Sequence, residues 1–188
     1  MECIDCLEKV DVKLLVGAAI SFASSSSDEE SPSLSIDLAC ILIKKHLIPE
    51  IDRKTEDATI VSMILELFEL TVHQYSKESR ERLCSSGLAV VCVGLLKMEM
   101  TASKESLQYM LKVRLLKILA NLAYESRPCQ DDLALLGLLP LLLSLTKIED
   151  ENPFMREWSV FALRNMLDNN PENQEFVQKV QPIQRTYQ

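Results

Sequence analysis

LLKILANLAYESRPCQDDL, residues 115–133, falls on SVFALRNMLDNNPENQEFV, residues 159–177, when the chain is shifted against itself by 44 positions. Asn121 then meets Asn165, Leu122 meets Met166, Ser126 meets Asn170, Gln130 meets Gln174 and Leu133 meets Val177. A shift of 50 lays RERLCSSGLAVVCVGLLKM (80–98) on QDDLALLGLLPLLLSLTKI (130–148). That register pairs Leu83 with Leu133, Gly87 with Gly137 and Leu95 with Leu145, and just upstream it pairs Ser76 with Ser126. A self-match at a period of this size is the sequence mark of a repeat architecture.

The matched positions make physical sense as helix punctuation. Ser76, Ser126 and Asn170 each precede a short amphipathic segment, and their side-chain oxygens are of the type that accepts bonds from the orphan N–H groups of a first turn. Pro128 and Pro171 fall in that first turn, where a missing N–H costs little. Gly87 and Gly137 end the short helices as left-handed residues. An apolar helix follows each glycine, at 88–98 and 138–147, and a polar loop leads to a longer third helix, at 104–124 and 153–168. Asn152 caps the last of these, with Pro153 in its first turn. The unit is therefore short helix, glycine corner, second helix, loop, long third helix. This is the armadillo plan, and it predicts an all-α, right-handed α-solenoid of three-helix repeats.

Working backwards, 55–75 is another third helix opened by Thr55 or Asp57, 34–48 is a second helix, and 5–23 is the third helix of a preceding unit. The whole of 1–188 reads as one repeat domain of roughly three units. Between them, SSSSDEESPS interrupts the repeat as a polar acidic loop over 24–33. Ser25, Ser26 and Ser27 each have an acid three positions later, which marks a phosphoacceptor run. The alternative is a solvated loop with no such role.

Composition narrows the function. The net charge of -8 and the pI of 4.9 argue against nucleic acid, because no clustered Lys and Arg patch can be read. The densest basic cluster, Lys44, Lys45 and His46, ends an apolar helix and complements its dipole. Charge-free runs such as 133–146 stop short of a membrane span. Glu2, Asp5, Glu8 and Asp11 are out of place in a signal peptide, so a cytoplasmic protein is expected.

The six cysteines fit that compartment, most of them in apolar helical patterns. Cys3 and Cys6 form a C-x-x-C, which zinc or redox chemistry could use. No second pair completes a site, however, and i, i+3 on one helical face explains the spacing. No nucleophile, phosphate-binding or metal-protease motif occurs, and His46 and His73 lie on different helices. Glu149, Asp150 and Glu151 sit before a helix, where acids favour the N-terminal dipole. No cofactor and no enzyme activity is expected.

Along 153–168 the residues Phe154, Trp158, Phe161, Ala162 and Met166 follow helical spacing, so Trp158 reads as core or inter-repeat packing. The alternative for this lone tryptophan is a partly exposed anchor for a ligand peptide. Glu157 and Arg164 lie two turns apart on one face and can pair across a third residue.

LANL (119–122) and LRNM (163–166) resemble the L-x-N-[LI] sequence of armadillo third helices. That resemblance implies that Asn121 and Asn165 face a concave groove and bond a ligand's backbone. The equivalent residue of the earlier unit is Thr71. Over 113–178, GLLPLLLSL and NPFMREWSVFALRNM with the following ENQ are similar to the carboxy-terminal domain of the ataxin-10 family. Members are usually longer, with a further armadillo-like region ahead of this one, so Met1 falls in mid-array. The resemblance implies a non-enzymatic cytoplasmic scaffold serving cytokinesis, cell survival or differentiation through partners such as G-protein β subunits. Groove candidates are Asn121, Asn165, Arg164 and Trp158, and removing both asparagines is expected to weaken a partner without lowering thermal stability. A rival expectation is self-association through solenoid ends that lack polar caps.

Overall fold

A computed structural model describes residues 36–44, 58–97, 107–146 and 153–180. Every regular element among these residues is helical. They belong to two compact units, Met1–Val91 and Cys92–Gln188.

The first unit contains α1 (Ile36–Leu42), α2 (Ala58–Thr71) with a 3-10 turn at Val72–Gln74, and α3 (Lys77–Leu83). Ser76 caps α3 by accepting from the Ser79 N–H at 3.2 Å, as its position before the amphipathic segment predicts. Cys84–Leu88 then turns the chain through Gly87, whose φ of 110° is open to glycine and costly for a residue with a Cβ. α4 (Ala89–Lys97) follows and crosses the boundary between the two units. α1 packs on α3, and Leu42, Ile43, Ile64, Leu65 and Phe68 are fully buried in this core.

The second unit repeats the same order. α5 (Leu107–Ala123) is the long helix. Glu125, at φ 52°, breaks it, and Ser126 caps α6 (Arg127–Leu135) by accepting from the Cys129 N–H. Gly137, at φ 79°, sets α6 and α7 (Leu138–Leu145) at 82° to each other. α8 (Pro153–Leu167) is the next long helix. Asn169, at φ 49°, breaks it at the position matching Glu125, and Asn170 caps α9 (Pro171–Val180) through the Asn173 N–H at 3.1 Å. Corner glycines, caps and long helices thus recur where the 44- and 50-residue registers put them.

α8 packs most extensively on α5 and then on α7. Its buried stripe is Met155, Ser159, Ala162 and Met166. Phe154 and Phe161 are exposed, and Trp158 is half-buried. Phe154 and Phe161 therefore lie outside the core, and the half-buried Trp158 meets the neighbouring repeat at Lys117 of α5. Ala162 and Met166 occupy the core as expected. One residue step turns a helix by about 100°, so a small polar residue in the buried stripe is enough to shift the apparent apolar face onto the neighbouring aromatics.

The segments 5–23 and 24–33, with Ser25, Ser26, Ser27, Cys3 and Cys6, lie outside the described residues. So do Lys45, His46, Thr55, Asp57, Asn152 and the acids at 149–151.

Candidate functional site

α5 and α8 run parallel, as two contacts establish. Asn165 Nδ2 donates to the Ala120 carbonyl at 2.9 Å, and the Lys117 ammonium lies 5.3 Å from the centre of the Trp158 ring. Both pairs advance along the sequence in the same sense. The Lys117–Trp158 geometry is that of a cation–π contact. Trp158 also meets Phe161 edge-on, with ring centres 5.6 Å apart and planes at 90°. An aromatic strip, Phe154, Trp158 and Phe161, thus lies along α8, with the Lys117 cation of α5 against its tryptophan. The 44-residue register makes Arg114 and Lys117 the counterparts of Trp158 and Phe161.

The four groove candidates lie on these two helices but differ in availability. Asn121 is half-buried, and its amide donates to the Lys117 carbonyl of its own helix at 2.9 Å. Asn165 is 6% exposed, and its amide N–H₂ is engaged with Ala120. Trp158 is half-buried within the aromatic strip. Arg164 is exposed, and among the described residues no ion pair links it to Glu157. Thr71, the counterpart in the first unit, is buried and donates to the Leu67 carbonyl at 2.7 Å.

Behind the strip lies a polar seam that sequence reasoning did not foresee. Gln130 is 2% exposed, and its Nε2 lies within hydrogen-bond reach of the carbonyls of Asn165 (2.9 Å), Asp168 (3.2 Å) and Ala123 (3.3 Å). Its Oε1 accepts from Asn170 Nδ2 at 3.0 Å, and the same amide donates to Asp131. Asn173 Nδ2 donates to the Met166 carbonyl at 2.8 Å. Gln174, one period after Gln130, donates to the Leu167 carbonyl, the counterpart of Ala123. In the first unit Arg80 takes the equivalent place and donates to the Tyr75 carbonyl at 2.6 Å.

Each of these residues satisfies carbonyls left open where a long helix ends, and Gln130, Asn173 and Arg80 do so in buried positions. Their signal was present in the Gln130–Gln174 match and in the ENQ triplet. The asparagines of that triplet and of the cap are therefore seam residues.

At the rim, Arg127 joins Asp131 through Nε at 2.8 and 3.0 Å and reaches Glu172 across the repeat junction. The Asp131 carboxylate, and then that of Glu172, hold the Arg127 pKa above its ordinary value. Its own backbone N–H, and then Arg127, hold the Glu172 carboxyl below the usual carboxylate range. Among the described residues no group of three or more His, Cys, Asp or Glu could hold a metal ion. No single described helix is long and apolar enough to cross a membrane. Burial pushes the Cys92 thiol pKa up, which keeps it an unreactive core residue.

The family described as spinocerebellar ataxia type 10 protein domain matches residues 111–188, which contain the paired strips of α5 and α8 and the whole seam. Residues 111–188 thus carry an ataxin-10 family domain. It is 26% identical over 197 aligned positions to ataxin-10 of Xenopus tropicalis, a match covering 90% of this chain and 40% of that protein. Shorter matches join it to the ataxin-10 homologs of Dictyostelium discoideum and Saccharomyces cerevisiae. The first is 39% identical over 69 residues and the second 41% over 70, each covering 37% of this chain, with 11% and 12% of the respective relative. The chain thus spans well under half the length of these ataxin-10 relatives. No solved structure matches the chain.

Proposed function

We propose that the chain is a protein-interaction module, a right-handed α-solenoid of armadillo-like repeats over 1–188, that binds other proteins through the paired strips of α5 and α8. The observation that carries this reading is the half-exposed Trp158, held between Phe161 and the Lys117 cation on an otherwise well-packed pair of helices. Exposed aromatic surface of this kind, backed by a rigid scaffold, is the composition of an interface hot spot. Trp158 and Arg164 make the contacts, together with the half-buried Asn121 of α5. Asn165 acts chiefly by fixing α8 against α5. A solenoid suits the role because each repeat contacts only its neighbours and leaves a long surface free.

The family domain supports a non-enzymatic, cytoplasmic role of the ataxin-10 kind, with cytokinesis and cell survival or differentiation as the processes served. A G-protein β subunit is the partner that family resemblance offers. The phosphoacceptor role of Ser25, Ser26 and Ser27 belongs to the same proposal as a means of adjusting charge.

Photo-cross-linking tests the interaction face. A photoreactive amino acid in place of Trp158 should trap discrete protein partners in cells, while the same group in place of the exposed Glu175 on α9 should not. Identical products from both positions, or none from Trp158, would sink the reading.

A second reading, self-association, is favoured by the exposed Phe176 and Val180 at the far edge of α9. Light scattering of the wild type and of Phe176→Ser with Val180→Ser discriminates the two. Self-association predicts a concentration-dependent mass that the double substitution abolishes.

A further inference from the structure

The charge around the aromatic strip runs against the charge of the whole chain. α5 carries Lys112, Arg114 and Lys117 and no acid at all, and α8 carries Arg156 and Arg164 against the single acid Glu157. These two helices are cationic in a chain whose net charge is -8. On the face itself, Lys117 sits over the ring of Trp158, and Arg164 is exposed one turn beyond Phe161. Glu157 on α8 and Asp168 just past its end are the nearby acids, and neither forms an ion pair with Arg164 among the described residues. Positive potential is therefore concentrated where apolar surface is open, while the rest of the chain repels anions in bulk and restricts approach to this strip.

From this geometry we infer that the occupant of the α5–α8 face is an acidic peptide segment carrying an aromatic or large aliphatic residue. The inference rests on the interaction-face reading above and names the chemistry of its partner. The apolar side chain of the ligand stacks in the Phe154–Trp158–Phe161 strip, and its carboxylates meet Lys117 and Arg164. Guanidinium groups bind carboxylates in a fixed fork geometry, whereas the Lys117 ammonium acts as a point charge already oriented by the indole ring. The chain's own negative charge works against nucleic acid, whose regular phosphates need a broad cationic surface and not a strip flanked by acids.

The test is selection of a phage-displayed random peptide library on the full chain, followed by affinity measurement of the selected peptides. Peptides enriched in Asp and Glu with Trp, Phe or Leu are expected. Their affinity should fall about tenfold or more in Arg164→Glu and again in Lys117→Glu, and should weaken with added salt. Arg164 is exposed and unpaired with Glu157, so Arg164→Glu keeps the test valid even where Lys117→Glu perturbs packing. Circular dichroism and thermal melting report that directly.

Enrichment of basic or neutral peptides that still require Trp158 would overturn the acidic-ligand inference and leave the interaction face standing. Peptides indifferent to Trp158→Ala, or no enrichment at all, would overturn both. Single-stranded RNA that binds the chain and loses affinity with Arg164→Glu would reassign the cationic strip to nucleic acid.

Discussion

Asn165 Nδ2 donates to the carbonyl of Ala120 at 2.9 Å, joining two long helices across 45 residues of sequence. The bond changes what removal of this asparagine should do. Asn165→Ala leaves the buried Ala120 carbonyl without its donor, which should cost about 1–3 kcal/mol in chemical denaturation. Among the described residues Asn121 bonds only to the Lys117 carbonyl of its own helix, so Asn121→Ala should cost less than about 1 kcal/mol. The sequence pattern alone leads one to expect unchanged stability from the double substitution; the Ala120 contact reverses that expectation for Asn165. Equal, negligible losses at both sites would contradict the inter-helix role.

Gly137 and Gly94 offer a matched pair. Gly137 has φ 79°, so a Cβ there should cost about 1–2 kcal/mol through left-handed strain. The nearest atom such a Cβ would meet is the flexible tip of Lys97, at 3.2 Å, which can give way. A Cβ on Gly94, inside α4, would meet nothing within 4 Å. Gly94→Ala should therefore raise stability by about 0.4–1 kcal/mol by reducing the freedom of the unfolded chain. Thermal melting of the two variants should shift in opposite directions.

Ser159 lies in the buried stripe of α8, and its hydroxyl has no hydrogen-bond partner among the described residues. Ser159→Ala removes a desolvated polar atom and should be neutral or stabilising by up to about 1 kcal/mol. A clear loss of stability would mean that the hydroxyl is satisfied in solution.

Arg127 and Glu172 give the junction a pH dependence. Glu172 has a folded pKa below its unfolded value of 4.5, because its own backbone N–H and then Arg127 favour the charged form. Its contribution is present above that unfolded value and is lost as pH falls through the lower folded one. The melting difference between wild type and Glu172→Gln should be constant near neutral pH and shrink in acid. Both groups are exposed, so the effect is small and should fade with salt. A difference that grows on acidification would contradict the pairing.

The parts of the fold legible in the sequence are those that local chemistry decides. Ser76, Ser126 and Asn170 cap helices because a side-chain oxygen next to an apolar run has few other uses, and Gly87 and Gly137 turn corners that other residues resist. The seam was not legible in the same way. Gln130 acts on Asn165 and Asp168, which no local pattern connects to it, although its match with Gln174 flagged the position. Trp158 was obscured for a related reason. The apolar spacing of α8 admits two adjacent stripes, and only packing against α5 decides that Ser159 goes inside while Phe154 and Phe161 stay out. The cationic strip is likewise a product of pairing, since its charges lie on α5, which ends at Ala123, and α8, which begins at Pro153.

Trp158 is the chain's single tryptophan, so its emission reports directly on the face at the centre of this account. The deciding measurement is a titration of the full chain with a library-selected acidic peptide, following tryptophan fluorescence and the anisotropy of a label on the peptide together. Ligand docking on the α5–α8 strip predicts a saturable change in Trp158 emission that tracks the anisotropy and is lost in Arg164→Glu. Saturating anisotropy with unchanged Trp158 emission would place the ligand elsewhere and contradict the account.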